Sequence, residues 1–144
     1  MKNRVKVLVI GGGVVGLSTL YHLTKKGLKD VALCERTELT AGSTWHAAGL
    51  LPLFNLSYSV GQIHKYSLSL YKKLEIETGQ NVGLRQVGNI RLARNQDRMD
   101  EYKYYSGVAK TIGVKVDFLE PKDIKELWPL CNTDGLIGAI QHPE

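Results

Sequence analysis

The chain has 144 residues, enough for one compact core and too few for two full domains. With 43% hydrophobic and 23% charged residues, its composition is that of a globular rather than a disordered chain. The net charge of +5 comes from scattered lysines and arginines whose longest local groups are Lys25-Lys26 and Lys72-Lys73, which argues against nucleic-acid binding.

Val5 to Ile10 is short, β-branched and almost uninterrupted, as in a strand buried on both faces of a parallel sheet. Glycines end it. From Val14 to Lys26 the apolar positions Val14, Leu17, Leu20, Tyr21 and Leu23 follow helical spacing, and Gly27 supplies the stop. Val31 to Cys34 reads as a second buried strand, completing a βαβ unit with parallel strands. Residues 36 to 57 carry Gly42, Gly49 and Pro52 and no sustained period, which predicts a loop with one short helix beginning near Ser43. Ile63, Tyr66, Leu70 and Leu74 predict an amphipathic helix from about Val60 to Thr78, closed by Gly79. A strand at Gly88 to Ala93, a helix from Asp97 to Ile112 and a strand from Val114 to Leu119 follow. Pro121 then opens a helix reaching about Leu127, and Gly135 to Gln141 reads as a last strand. The tyrosines at 66, 71, 102, 104 and 105 fall at helical spacings and read as packing residues.

Gly11-Gly12-Gly13-Val14-Val15-Gly16 satisfies GxGxxG directly after a strand and at the head of a helix. Gly11 would permit the tight turn, Gly13 would let backbone N–H groups approach a pyrophosphate, and Gly16 would allow close helix-to-strand contact. Glu35 falls 24 positions after Gly11, where a carboxylate can accept hydrogen bonds from an adenosine ribose and repel a 2′-phosphate. That favours FAD or NAD over NADP, and the bare motif does not separate the two. The pattern alone also fits a turn that merely packs a helix, but strand, turn, helix, strand and acid together make a dinucleotide site. No GK[ST] follows, so a P-loop is excluded.

Two cysteines, Cys34 and Cys131, in no CxxC arrangement indicate neither a zinc site nor a disulfide framework, and no metal site is expected. The apolar run at Val5 leaves no room after Met1 for the h-region of a signal peptide or for a transit segment, and no stretch is long enough to span a bilayer. The expected location is the cytoplasm.

The segment Arg36-Thr37-Glu38-Leu39-Thr40-Ala41-Gly42-Ser43-Thr44-Trp45-His46-Ala47-Ala48-Gly49-Leu50 resembles the region after the ribose-binding acid in the sarcosine and dimethylglycine dehydrogenase family. These are FAD-dependent amine oxidoreductases of the D-amino-acid-oxidase-like superfamily. The resemblance continues through Ile63 to Gly79, Gly88 to Ala93 and Gly138 to Glu144, so it covers essentially the whole chain. It implies that His46 is joined covalently to the flavin 8α-methyl carbon, a plausible role for an imidazole that is a neutral nucleophile at physiological pH. It also implies FAD contacts at Val14, Val15, Glu35, Arg36 and the whole segment Gly42, Ser43, Thr44, Trp45, His46, Ala47, Ala48, Gly49 and Leu50. Ser43 and Thr44 read equally as pyrophosphate donors or as an N-cap and turn, and Trp45 as a cofactor contact or a core filler. His22, His64 and His142 read as surface or packing residues.

The fold class expected is α/β, with a Rossmann-like βαβ FAD-binding start over residues 1–58. Residues 59–144 would complete part of that domain and enter a mixed α+β substrate domain. Two obvious parallel strands are few for a doubly wound sheet, so the chain reads as the N-terminal portion of a longer enzyme, inactive in isolation. The resemblance implies oxidation of an N-methyl amine such as sarcosine or dimethylglycine, in glycine betaine catabolism and one-carbon metabolism. An electron-transfer flavoprotein or oxygen would accept electrons, and folate the one-carbon unit. The alternatives are an NAD-dependent dehydrogenase and a noncatalytic dinucleotide-binding fragment. No catalytic residue is assigned.

Overall fold

A computed structural model describes residues 4–143, which divide after Leu50 into two compact units. In the first, β1 (Val7–Ile10), α1 (Val14–Lys25) and β2 (Val31–Cys34) follow one another, and β1 pairs parallel to β2 with Val7 opposite Val31 and Ile10 opposite Cys34. The β-branched run of β1 ends at Gly11, whose φ of +106° only glycine adopts readily, and Gly27 at φ +90° follows α1. The expected two-sided burial of β1 is not found: Val7 and Val9 are half-buried, whereas Leu8 and Ile10 are 50% and 83% exposed. Within this unit the helix covers the sheet from the side of Val9, and no described element of the unit covers the other.

Beyond β2 the short helix expected near Ser43 is replaced by turns. His46 N–H donates to Ser43 O at 3.2 Å and Ala47 N–H to Thr44 O at 3.3 Å, reaching back three residues without propagating. Gly42 and the β-branched Thr44 are poor helix formers, and so short a segment cannot repay helix nucleation.

The second unit contains α2 (Tyr58–Thr78), β3 (Asn89–Ala93), α3 (Gln96–Ile112), β4 (Asp117–Leu119), α4 (Pro121–Leu127) and β5 (Gly138–His142). The strands form an antiparallel sheet in the order β3-β5-β4, with Asn89 opposite His142 and Asp117 opposite Gln141. Ser57 Oγ caps α2 by accepting from Val60 N–H, Asn95 Oδ1 caps α3 by accepting from Arg98 N–H at 2.9 Å, and Glu120 and Asp123 form a capping box on α4. Gly79 and Gly113, at φ +68° and +74°, end α2 and α3 in left-handed conformation. No helix among the described residues is long and apolar enough to cross a membrane.

The central strand β5 lies in two apolar clusters, one of Ala93, Tyr102, Tyr105, Ala109 and Ile140, the other of Ile124, Cys131, Leu136 and Ala139. Tyr102 and Tyr105 keep their hydroxyls satisfied: Tyr102 donates to Leu92 O at 3.0 Å and Tyr105 to Leu53 O at 3.1 Å. His142, 2% exposed, places Nε2 2.7 Å from the Tyr105 oxygen. Because the Leu53 carbonyl can only accept, the Tyr105 proton points there and the phenol oxygen accepts from Nε2–H. Nδ1 is left as a buried lone pair with no partner among the described residues.

Protonating His142 therefore means placing a proton on Nδ1 where nothing accepts it. Burial first, and the Arg91 cation second, push its pKa from 6.5 down to about 4. The unfolded chain takes up that proton near pH 6.5 and the folded chain resists it. The contribution is thus complete above pH 6.5 and is lost as pH falls toward 4, amounting to about 3 kcal/mol. Urea unfolding of the complete gene product across this range should show the decline, and His142→Gln should flatten it; equal slopes would sink the assignment.

Candidate functional site

The first unit brings the glycine turn, the strand-end acid and the Gly42 to Leu50 segment together. Gly11 N–H donates to Cys34 O at 2.8 Å, tying the turn to the end of β2. A Cβ at Gly16 would stand 1.9 Å from Gly11 O, so only glycine lets α1 leave the turn at this angle. A Cβ at Gly13 would meet only Thr44 Oγ1, at 3.1 Å, so the Gly13 face is a shallow cradle that a side chain would fill. It lies at the N-terminus of α1, where backbone N–H groups have no intrahelical partner and an anion is favoured.

Glu35 does more than end a strand. Its Oε2 accepts from Gly12 N–H at 2.7 Å, while Oε1 accepts from the N–H groups of Arg36 and Thr37 at 2.7 and 3.0 Å and from Thr37 Oγ1 at 3.2 Å. The Gly12 N–H above all, and then that of Thr37, hold its carboxyl below the usual range. Oε2 carries a single donor and retains a lone pair for a ribose hydroxyl. Sequence reasoning missed the brace to Gly12. The signal lay in the parallel register, since pairing Ile10 with Cys34 sets the next residue of each strand beside the turn.

Glu35→Ala is expected to weaken FAD retention by about tenfold or more, through loss of a charged ribose acceptor and of the Gly12 brace. Glu35→Gln, which keeps a carbonyl acceptor for Gly12 N–H, should lose less. Flavin remaining after dialysis measures both, and equal retention by Glu35→Ala and the parent would count against either role.

The segment after β2 is fastened to the turn at two points: Thr40 N–H donates to Gly12 O at 2.9 Å, and Val14 N–H donates to Thr44 Oγ1 at 2.9 Å. Thr40 holds φ at +69°, a left-handed conformation that is strained for a β-branched residue. His46 is exposed, with Nδ1 3.0 Å from Gly42 O. The carbonyl can only accept, so Nδ1 carries a proton. Trp45 is 77% exposed and therefore not the core filler that one reading of the sequence allowed. Arg36 and Val15 are exposed beside this surface, as are Gly42, Ser43 and Ala47 to Leu50, while Val14 stands at the helix start.

The other histidines serve structure. His22 Nδ1 lies 2.6 Å from Ser18 O and His64 Nδ1 2.8 Å from Pro52 O. Among the described residues no group of His, Cys, Asp or Glu could hold a metal ion. The second unit has a cavity of about 240 Å³ lined by Leu53, Lys65, Leu68, Lys72, Val114 and His142 among others, with Lys65 Nζ committed to Ile112 O at 2.9 Å.

Comparison with known proteins is in keeping with this arrangement. The chain is 46% identical over 142 residues to the mitochondrial dimethylglycine dehydrogenase of Rattus norvegicus, covering 99% of this chain and 17% of that protein. It is 40% identical over 144 residues to the mitochondrial sarcosine dehydrogenase of Homo sapiens, covering 99% and 16%. The chain thus spans about one sixth of the length of the curated relatives it matches. Among solved structures, L-proline dehydrogenase from P. horikoshii superimposes with a TM-score of 0.91 at 25% identity, over 99% of this chain and 37% of that one. The FAD dependent oxidoreductase family DAO matches residues 6–144, and the chain belongs to that family.

Proposed function

We propose that the complete protein oxidises an N-methyl amine of the sarcosine or dimethylglycine type, using FAD attached through His46. The observation that carries this reading is the exposed His46, its Nδ1 resting on the Gly42 carbonyl, on a segment hydrogen-bonded to a dinucleotide-type glycine turn. The names of the relatives supply the substrate class, and the family match to FAD dependent oxidoreductases disfavours an NAD-dependent dehydrogenase built on the same glycines.

Gly11, Gly13, Gly16, Val14 and Val15 would seat the pyrophosphate at the start of α1, and Glu35, with Arg36 beside it, the adenosine ribose. Ser43 and Thr44 would lie at the pyrophosphate, and Gly42 with Trp45 to Leu50 would run along the flavin side of the cofactor. Bound flavin supplies acceptance of a hydride at N5 from the substrate's N-methyl carbon, which leaves an iminium that water converts to formaldehyde or that folate takes up. In attachment, His46 would offer the Nε2 lone pair to the 8α carbon, and the one proton and two electrons lost from that carbon would pass together to the enzyme's own acceptor, dioxygen or an electron-transfer flavoprotein. The Gly42 carbonyl holds the proton on Nδ1 throughout, so that Nε2 is the atom offered.

In the same reading, residues 1–58 begin the FAD domain and 59–144 complete part of it and enter the substrate domain. The free Cys34 and Cys131 suit a reducing compartment, the cytoplasm in this reading. The complete gene product, purified and supplied with sarcosine, dimethylglycine and their unmethylated analogue glycine, tests the reading. Formaldehyde release with the first two alone supports it, and a flavin-free protein or turnover of glycine alone overturns it.

A further inference from the structure

We propose that Thr44 is a positioning residue that couples the cofactor's phosphate seat to His46. The inference rests on the reading of His46 as the attachment residue. Thr44 Oγ1 accepts the Val14 N–H at 2.9 Å, the first N–H of α1, and so spends one lone pair on the helix terminus. No acceptor among the described residues takes the hydroxyl's own proton. That proton is available to an anionic oxygen in the cradle beside Gly13, because Thr44 Oγ1 lies 3.1 Å from the point a Gly13 Cβ would occupy. One hydroxyl thus touches the helix terminus and the space for a phosphate oxygen at once.

His46 stands two residues further on, and the backbone between is short and internally bonded. Trp45 N–H donates to Thr40 O and to Gly42 O, both at 3.1 Å, and Ala47 N–H donates to Thr44 O at 3.3 Å. The imidazole itself rests on Gly42 O. Among the described residues, the hydrogen bonds of this stretch are local except two: Thr40 N–H donates to Gly12 O, and Thr44 Oγ1 accepts from Val14 N–H. The first holds through the backbone of a residue kept at a strained φ of +69°, which the rest of the segment must overdetermine. The second is the only one of the two that a side-chain substitution can remove cleanly.

A phosphate oxygen bonded to Thr44 would therefore fix the turn that carries His46, and the reacting nitrogen would be aimed only once the dinucleotide is seated. Because small misplacements of a reacting group cost about a hundredfold in rate, loss of this hydroxyl should slow attachment far more than it weakens cofactor binding. Thr44 touches no reacting atom in this scheme; it acts through the placement of His46.

The test uses the complete gene product purified flavin-free from riboflavin-starved cells and then given saturating FAD. Total bound flavin is read after gel filtration, and linked flavin after acid precipitation, over time. Thr44→Val is expected to weaken flavin binding by severalfold, which saturating FAD offsets, while attachment per bound flavin slows by about tenfold to a hundredfold. Thr44→Ser, which keeps the hydroxyl, should stay within about threefold, and Thr44→Cys, the near-isostere of that serine with only a weak donor and acceptor, should resemble Thr44→Val. If Thr44→Val does not fold, Thr44→Cys against Thr44→Ser makes the same comparison.

Attachment by Thr44→Val or Thr44→Cys at the parent's rate overturns the coupling. So does a fall in total flavin binding that accounts for the whole loss of linkage. A parent protein with all its flavin acid-soluble overturns the attachment reading instead. In that event amide exchange at Trp45, Ala47 and the position between them still tests the coupling in the His46→Ala background: FAD should slow it, and Thr44→Val should abolish that slowing. Equal slowing with and without the hydroxyl rejects it.

Discussion

Gly16→Ala is expected to remove FAD binding almost completely, by on the order of a hundredfold or more, and to lower the yield of folded protein. The new methyl carbon would stand 1.9 Å from the carbonyl oxygen of Gly11 and 3.0 Å from its carbon. Both are backbone atoms, so no rotamer change relieves the clash and α1 must move away from the turn by more than an ångström. The movement would break up the geometry in which Gly11 N–H reaches Cys34 O, Gly12 N–H reaches Glu35 and Val14 N–H reaches Thr44. Gly13→Ala should be milder in the free protein, since its methyl would meet one side-chain oxygen, but it would still obstruct the phosphate cradle. Gly107→Ala is the control. Gly107 sits within α3 with nothing within 4 Å of the added carbon, and alanine there should stabilise the helix by about 0.5–1 kcal/mol without touching FAD. Flavin per polypeptide after gel filtration, with circular dichroism for folding, gives the ranking. A Gly16→Ala protein holding one flavin per chain would reject the steric account.

His46→Ala should convert the flavin from wholly acid-precipitable to wholly acid-soluble. The substitution removes Nε2 and the imidazole's bond to Gly42 O, which lies on an exposed stretch where water can replace it. The glycine turn, Glu35 and Thr44 keep their partners, so noncovalent FAD should remain in much of the protein. Amine oxidation should slow by on the order of tenfold rather than vanish, because hydride transfer needs a flavin held in place and suitably poised, not the link itself. A tryptic peptide containing His46 should carry the flavin mass in the unsubstituted protein. Flavin found entirely in its acid supernatant would refute attachment.

Where local pattern and tertiary structure agree, the residues were readable in advance. Val31 to Cys34 and Pro121 to about Leu127 form the strand and the helix their patterns predict, because each is bounded by strong punctuation: Asp30 and Glu35 for the strand, Pro121 for the helix; the strand is not the buried one expected, since Cys34 is exposed. β4 begins only at Asp117 and not at Val114, since its length is set by where β5 offers partners, a long-range fact. Gly135 lies in a turn at φ +72°, delaying β5 to Gly138. In the site, the glycines and Glu35 stand out by spacing, whereas the bond from Val14 to Thr44 joins residues 30 apart and has no spacing rule to announce it. The left-handed Thr40 is similarly invisible, because nothing about a threonine advertises a positive φ. His142 looked like a residue for surface or packing and is a buried polar partner of Tyr105, identifiable only once β5 is set at the centre of its sheet.

The bond between Glu35 and Gly12 bears on any attempt to redesign this scaffold for a phosphorylated adenosine. The usual strategy replaces the strand-end acid with a neutral or basic residue to admit the extra phosphate. Here the same carboxylate holds the N–H of the second glycine at 2.7 Å, so an arginine or serine at position 35 would welcome the new charge and at the same time release the loop meant to receive it. A successful exchange would need a second change that returns an acceptor to Gly12. Leu39 is the natural place for it, because its Cδ2 already lies 2.7 Å from the point where a Gly12 side chain would begin. An asparagine there would bring a carbonyl oxygen close to Gly12. Specificity and architecture share one side chain in this turn, and evolution toward a new cofactor would have to separate them before it could alter either.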